Sequence, residues 1–141
     1  MEGLEMYING VMHTACLYAS WIGCSEISAA CFSTESYLDL FCESFDVPHA
    51  QVQLIPAERT LPQILATWLG GDQAKYIDDL LWLLNGKLGN VKTVSRVKES
   101  AALLDTLSRG NGGAGPYYFM EDLFFAVFEQ AAVCFFLGNN E

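Results

Sequence analysis

The longest apolar stretch of the chain, Tyr117 to Leu137, does most to limit what the sequence can build. Glu121, Asp122, Glu129 and Gln130 interrupt it. A bilayer span needs about 20 mainly apolar residues with few charges, so the interruptions argue against a membrane segment. Pro116 stands where a first-turn proline belongs, and Gly138 where a helix ends. The expectation is a final, largely buried helix. Phe119, Phe124, Phe125, Phe128, Phe135 and Phe136 would surround it on more sides than one neighbouring face needs. Phe119, Phe124, Phe128 and Phe135 are therefore the residues expected to form a self-association surface, most simply in a homodimer.

Helical spacing extends through most of the remaining chain. Leu4, Ile8, Val11, Ala15, Tyr18 and Ile22 step by four and three, and Met12, Cys16 and Ala19 make the opposite face apolar too. Ser25 could cap a second helix through Phe32, and Ser33 or Thr34 a third with Leu38, Phe41, Cys42 and Phe45 inward. Val52 and Leu54 alternate with glutamines between Pro48 and Pro56, which suits one short strand or an extended crossover near 50–55. Further helices are expected from Thr60 to Leu69, from Asp72 to Leu84, and across Val94, Val97, Ala101, Leu104 and Leu107. The 141 residues contain no repeat or linker, so residues 1–141 read as one domain. The expected fold is all-α or nearly so, a compact bundle of about five to six helices.

The charge pattern bears on partners. Seventeen Asp and Glu face seven Lys and Arg, and Arg59 is the first basic residue after eight acids. Such a half repels phosphate, which disfavours direct nucleic-acid binding and favours encounter with a basic protein. Only 17% of residues are charged, against about 25% in typical domains. That shortage favours an apolar surface buried by a second copy or another protein. The five cysteines are odd in number, and four lie inside apolar patterns, as suits reduced thiols in a cytoplasmic protein. No basic region precedes the apolar N-terminal stretch, which argues against a secretory signal.

Candidate chemistry is sparse. Gly110, Gly112 and Gly115 spell GxGxxG, but a dinucleotide site needs a strand before it and a helix opening within it. A helix is expected before these glycines and Pro116 follows them, so they read as a flexible interhelical loop. Glu121, Asp122 and Glu129 would share one face of the final helix, yet no Glu-x-x-His partner accompanies them, and no metal or cofactor is expected. His13 and Cys16 are half a site at best, and Cys24 has no basic neighbour to activate it.

The leading functional expectation is an acidic, non-enzymatic protein-binding protein, an inhibitor or immunity or anti-defence antagonist of a basic nucleic-acid-handling partner. Glu35, Asp39 and Glu43, spaced four apart on the third helix, are its expected contact residues. The alternative is a helical small-molecule binder with Trp21, Trp68, Trp82 and Tyr117 to Phe119 as pocket walls. A third is a metal- or thiol-dependent enzyme using His13 and Cys16 or the Glu121, Asp122 and Glu129 group.

Overall fold

A computed structural model of the protein describes residues 2–18, 25–69 and 74–140. Its helices are α1 (Glu2–Tyr18), α2 (Tyr37–Phe45), α3 (Leu61–Leu69), α4 (Ala74–Leu88) and α5 (Ser100–Leu107). Its strands are β1 (Glu26–Phe32), β2 (Leu54–Pro56), β3 (Val91–Val97), β4 (Phe119–Phe128) and β5 (Ala132–Asn139). The strands form one antiparallel sheet in the order β1-β5-β4-β3-β2. The all-α expectation is therefore corrected to a mixed helix-and-sheet fold.

For β4 and β5 the correction has a clear physical cause. Helices cover both faces of the sheet. On one side, Ile8, Met12, Leu65, Trp68, Leu80 and Leu84 of α1, α3 and α4 pack on Ile27, Phe124, Phe128, Val133 and Phe135. On the other, Phe41 and Cys42 of α2 and Leu103 and Leu107 of α5 pack on Leu123, Phe125, Cys134 and Phe136. A strand buried on both faces has no polar side, so it reads as a continuous apolar run that periodicity cannot tell from a buried helix. The supposed final helix is thus the β4–β5 hairpin. It turns at Glu129-Gln130, where the Phe128 N–H donates to the Ala131 carbonyl at 2.8 Å. Directly opposite in the register, Phe124 and Phe135 stack at 4.9 Å.

Two other expected helices also contain strands. Residues 26–32 form β1, paired along its length with β5. The stretch from Val94 to Leu107 divides at Lys98-Glu99 into the end of β3 and the whole of α5. The expected short strand exists as β2, and the helices expected at 60–69 and 72–84 stand as α3 and α4, the second extending to Leu88. Thr60 and Gln63 cap α3 reciprocally: each accepts a hydrogen bond from the other's backbone N–H, at 2.9 and 3.4 Å.

Both outer edges of the sheet are managed. Asn9 of α1 presents its amide to β1 as a neighbouring strand would. Its Oδ1 accepts from the Ala29 N–H at 2.6 Å, and its Nδ2 donates to the Ala29 carbonyl at 3.1 Å. Glu5, one turn earlier, accepts from the Cys31 N–H at 2.8 Å. The opposite edge, β2, is three residues long and ends at Pro56.

Candidate functional site

The sequence-predicted contact residues do not share one helix face. Asp39 and Glu43 are exposed on α2, but Glu35 precedes the helix and is separated from it by Ser36 in a left-handed conformation, φ 61°. Asp39 also pairs with His49 at 2.8 Å, both groups largely in solvent. The four residues expected for self-association lie in different surroundings. Phe124, Phe128 and Phe135 are 2% exposed or less because they fill the core under α1, α3 and α4. Phe119 alone of the four reaches the surface, packed edge-on against Tyr118 at 4.7 Å.

The glycine segment is a packed loop between α5 and β4, and its amides are already engaged. Gly110 N–H donates to Tyr118, Gly112 to Arg109, Gly113 to Ser108 and Gly115 to Leu107, all carbonyls at 2.9–3.0 Å. A Cβ at Gly113 or Gly115 would come within 2.6 Å of backbone atoms of α5's last turn. These residues are small so that the loop can lie on the helix end. The loop holds no row of outward amides for a phosphate, and it is not the flexible joint expected.

The acids once placed together on a final helix are apart. Glu121 accepts from Ser25 and Asn139, and Glu129 holds the Asn90 N–H at the hairpin turn. Among the described residues no three His, Cys, Asp or Glu side chains converge as metal ligands would. His13 is exposed on α1, while the Cys16 side chain, Cys24 and Trp21 lie outside the described residues. Burial, with the Glu5 carboxylate beside it, pushes the Cys31 thiol up to about 11, and burial raises Cys42 and Cys134 as well. Those three thiols are thus held protonated at neutral pH. No helix among the described residues is long and apolar enough to cross a membrane.

Among the described residues, a concavity of about 230 Å³ beside α2 is lined by Thr34, Ser36, Tyr37, Leu38 and Asp39, and two more lie on the α1, α3 and α4 side. The larger is a groove of about 550 Å³ between α1 and α4, lined by Tyr7, Gly10, Val11, Tyr76, Asp79, Trp82 and Leu83. Trp82 is 81% exposed, Tyr7 57% and neighbouring Met6 71%. A Cβ built on Gly10 would meet nothing within 4 Å, so the chain's own packing does not demand glycine there. Among the described residues Asp79 is the one charged side chain lining the groove. Of the expected pocket walls, Trp82 stands here, whereas Trp68 is buried against Phe124 and Tyr117 lies in the opposite core.

The smaller feature is a polar notch of about 220 Å³ at the end of the sheet, beside the start of α3. Glu58 and Arg59 reach it from the β2–α3 loop, Arg96 from β3 and Asp122 from β4. A register shift between Met120 and Asp122 re-aims β4 at this point. Met120 joins the α2 and α5 core, whereas Asp122 turns to the notch beside Ile64 and Phe124. Burial raises the Asp122 carboxyl above its ordinary range; the Leu123 N–H and Arg59 pull it partly back.

Sequence reasoning singled out Trp82 and Asp122 but missed Tyr7, Gly10, Tyr76, Arg59 and Arg96. Trp82 had a signal, since it falls off the Ile77, Leu80, Leu81 and Leu84 stripe of its own helix. The others come together only when α1 meets α4 and β3 pairs with β4. Comparison with family models, with curated proteins and with solved structures gives no match. The functional reading rests on the geometry.

Proposed function

We propose that the protein is a protein-binding module that seats an apolar, basic-flanked helix of a partner in the groove between α1 and α4. The observation that carries this is Trp82, a large apolar side chain at 81% exposure on the rim of an apolar groove. Exposed tryptophan and tyrosine beside a cleft are the residue types that dominate binding energy in interfaces. Two helices with a trough between them suit the helix-in-groove mode, in which anchors at i, i+3 and i+4 fill the trough. Charge selects the occupant. The chain carries a net charge of −10 and Asp79 lines the groove, so a second copy would bring like charge to like charge, while a basic segment is attracted. An antagonist of a nucleic-acid-handling factor is one case of this, in which the captured basic helix is the factor's own phosphate-contacting element. The α2 carboxylates lie on the opposite layer of the molecule and are not needed for such a contact.

The test uses a synthetic amphipathic helix of leucine and lysine and its counterpart with glutamate in place of lysine. The lysine peptide should bind in low salt and shift the tryptophan emission. The glutamate peptide should bind at least about tenfold more weakly. Trp82→Ser should weaken the lysine peptide about tenfold or more, as expected for an interface anchor. Gly10→Leu should also block it by filling the trough, and it replaces a helix-interior glycine at a helix-propensity gain of about 0.8–1 kcal/mol. Equal affinity in both variants would show that the peptide sits elsewhere and would overturn the reading.

A further inference from the structure

The polar notch contains an arrangement that internal pairing does not complete. Arg96 and Glu58 approach only to 3.8 Å, at exposures of 46% and 86%, so they form a loose rim pair. Arg59 donates to the Thr67 hydroxyl at 2.6 Å, which fixes its guanidinium on α3. Asp122, opposite, accepts from its own neighbour, the Leu123 N–H, at 2.8 Å. Among the described residues no ion pair joins Arg59 or Arg96 to Asp122, although all three line the same 220 Å³. Apart from the loose pair of Arg96 with Glu58, the two cations and the partly buried Asp122 face one small volume without a contact ion pair between them. Ile64 and Phe124 supply an apolar wall beside them.

We infer that this notch binds a free aliphatic α-amino acid. The zwitterion matches the signs of the charges that line the notch: its carboxylate meets the Arg59 and Arg96 guanidiniums, and its ammonium meets Asp122, with Glu58 at the rim. Guanidinium–carboxylate contacts of this kind are the strong, geometrically selective ones. The side chain lies against Ile64 and Phe124. The volume of about 220 Å³ is below the range of about 300–1,000 Å³ typical of sites for larger ligands, which favours a small ligand over a nucleotide or a folded peptide segment. A bare anion satisfies the arginines and leaves Asp122 repelled; a bare amine does the reverse. The site is separate from the groove between α1 and α4, and either can hold without the other.

Calorimetry on the full chain with L-leucine, 4-methylpentanoate, isoamylamine and inorganic phosphate tests the inference. Leucine should bind saturably, with the acid and the amine each weaker by about tenfold or more, the loss expected from removing one charge-assisted contact. Arg96→Gln should weaken leucine by a similar factor. Asp122→Asn should weaken leucine while leaving 4-methylpentanoate unchanged or tighter, a split that general damage to the notch would not produce. Circular dichroism establishes that each variant is folded, and Arg96→Lys, which keeps the charge but not the fork, replaces Arg96→Gln if that variant is not. Absence of saturable leucine binding up to its solubility limit overturns the proposal. Phosphate or 4-methylpentanoate binding as tightly as leucine overturns it too, in favour of a plain anion site.

Discussion

Asp122 shows how one residue's environment becomes a property of the whole molecule. Its carboxyl is raised first by burial, with the Leu123 N–H and Arg59 opposing. A carboxyl whose folded-state pKa lies above its unfolded value favours the protonated form on folding. Its favourable contribution is full below the unfolded pKa of about 3.8 and is lost as pH rises through the folded pKa. Asp122→Asn keeps an oxygen for the Leu123 N–H and removes the charge. In the absence of added ligand, its melting temperature should exceed that of the parent at pH 7, and the gain should disappear at about pH 3, where both side chains are neutral. Thermal melts at the two values check this. A gain of equal size at both would mean that packing, not charge, is responsible.

At the scale of elements, α1 has a second role that its apolar spacing does not reveal. Its inner face, with Ile8 and Met12, enters the core, and its Asn9 and Glu5 side chains close the free edge of β1. An open strand edge is a template for pairing with another chain, so a helix that supplies strand-like partners protects against it. Asn9→Leu would leave the buried Ala29 N–H and carbonyl without those partners. The expected loss is about 1–3 kcal/mol for an unsatisfied buried group, read from urea unfolding, with a greater tendency to aggregate. A variant within about 0.5 kcal/mol of the parent, the range of ordinary surface changes, would show that the edge is satisfied in another way.

Across the whole molecule, the last strand is inserted between the first strand and β4. Residues more than a hundred positions apart in sequence pair there, as Ile27 does with Leu137. Contacts of such long range slow folding. They also make the C-terminal hairpin the shared floor of both cores, one under α1, α3 and α4 and the other under α2 and α5. Phe135→Ala should therefore cost about 3–5 kcal/mol, a large part of the 5–15 kcal/mol that holds a domain together. Phe119→Ser, at an exposed position, should stay within about 0.5 kcal/mol. Urea melts combined with light scattering separate this from the surface role expected for both residues. A Phe135→Ala variant of unchanged stability and reduced mass would favour the self-association role instead.

Local sequence by itself determined several features of this protein. Helices α2, α3 and α4 and the acidic, base-free first half follow from periodicity, capping residues and a count of charges. Thr60 with Gln63 marks the start of α3 because a cap involves only residues three apart. Trp82 off its helix's apolar stripe was a readable sign of the groove. Tertiary structure alone decided the sheet. Phe124, Phe128 and Phe135 lie in strands with helices on both sides, and a doubly covered strand loses the alternation that would distinguish it from a helix. The same holds for the notch. Arg59, Arg96 and Asp122 stand far apart in sequence, and they meet because β3 pairs with β4 and a register shift turns Asp122 toward α3. A charge pattern read along the chain records which residues are available, whereas strand pairing, a long-range event, sets which of them face one another.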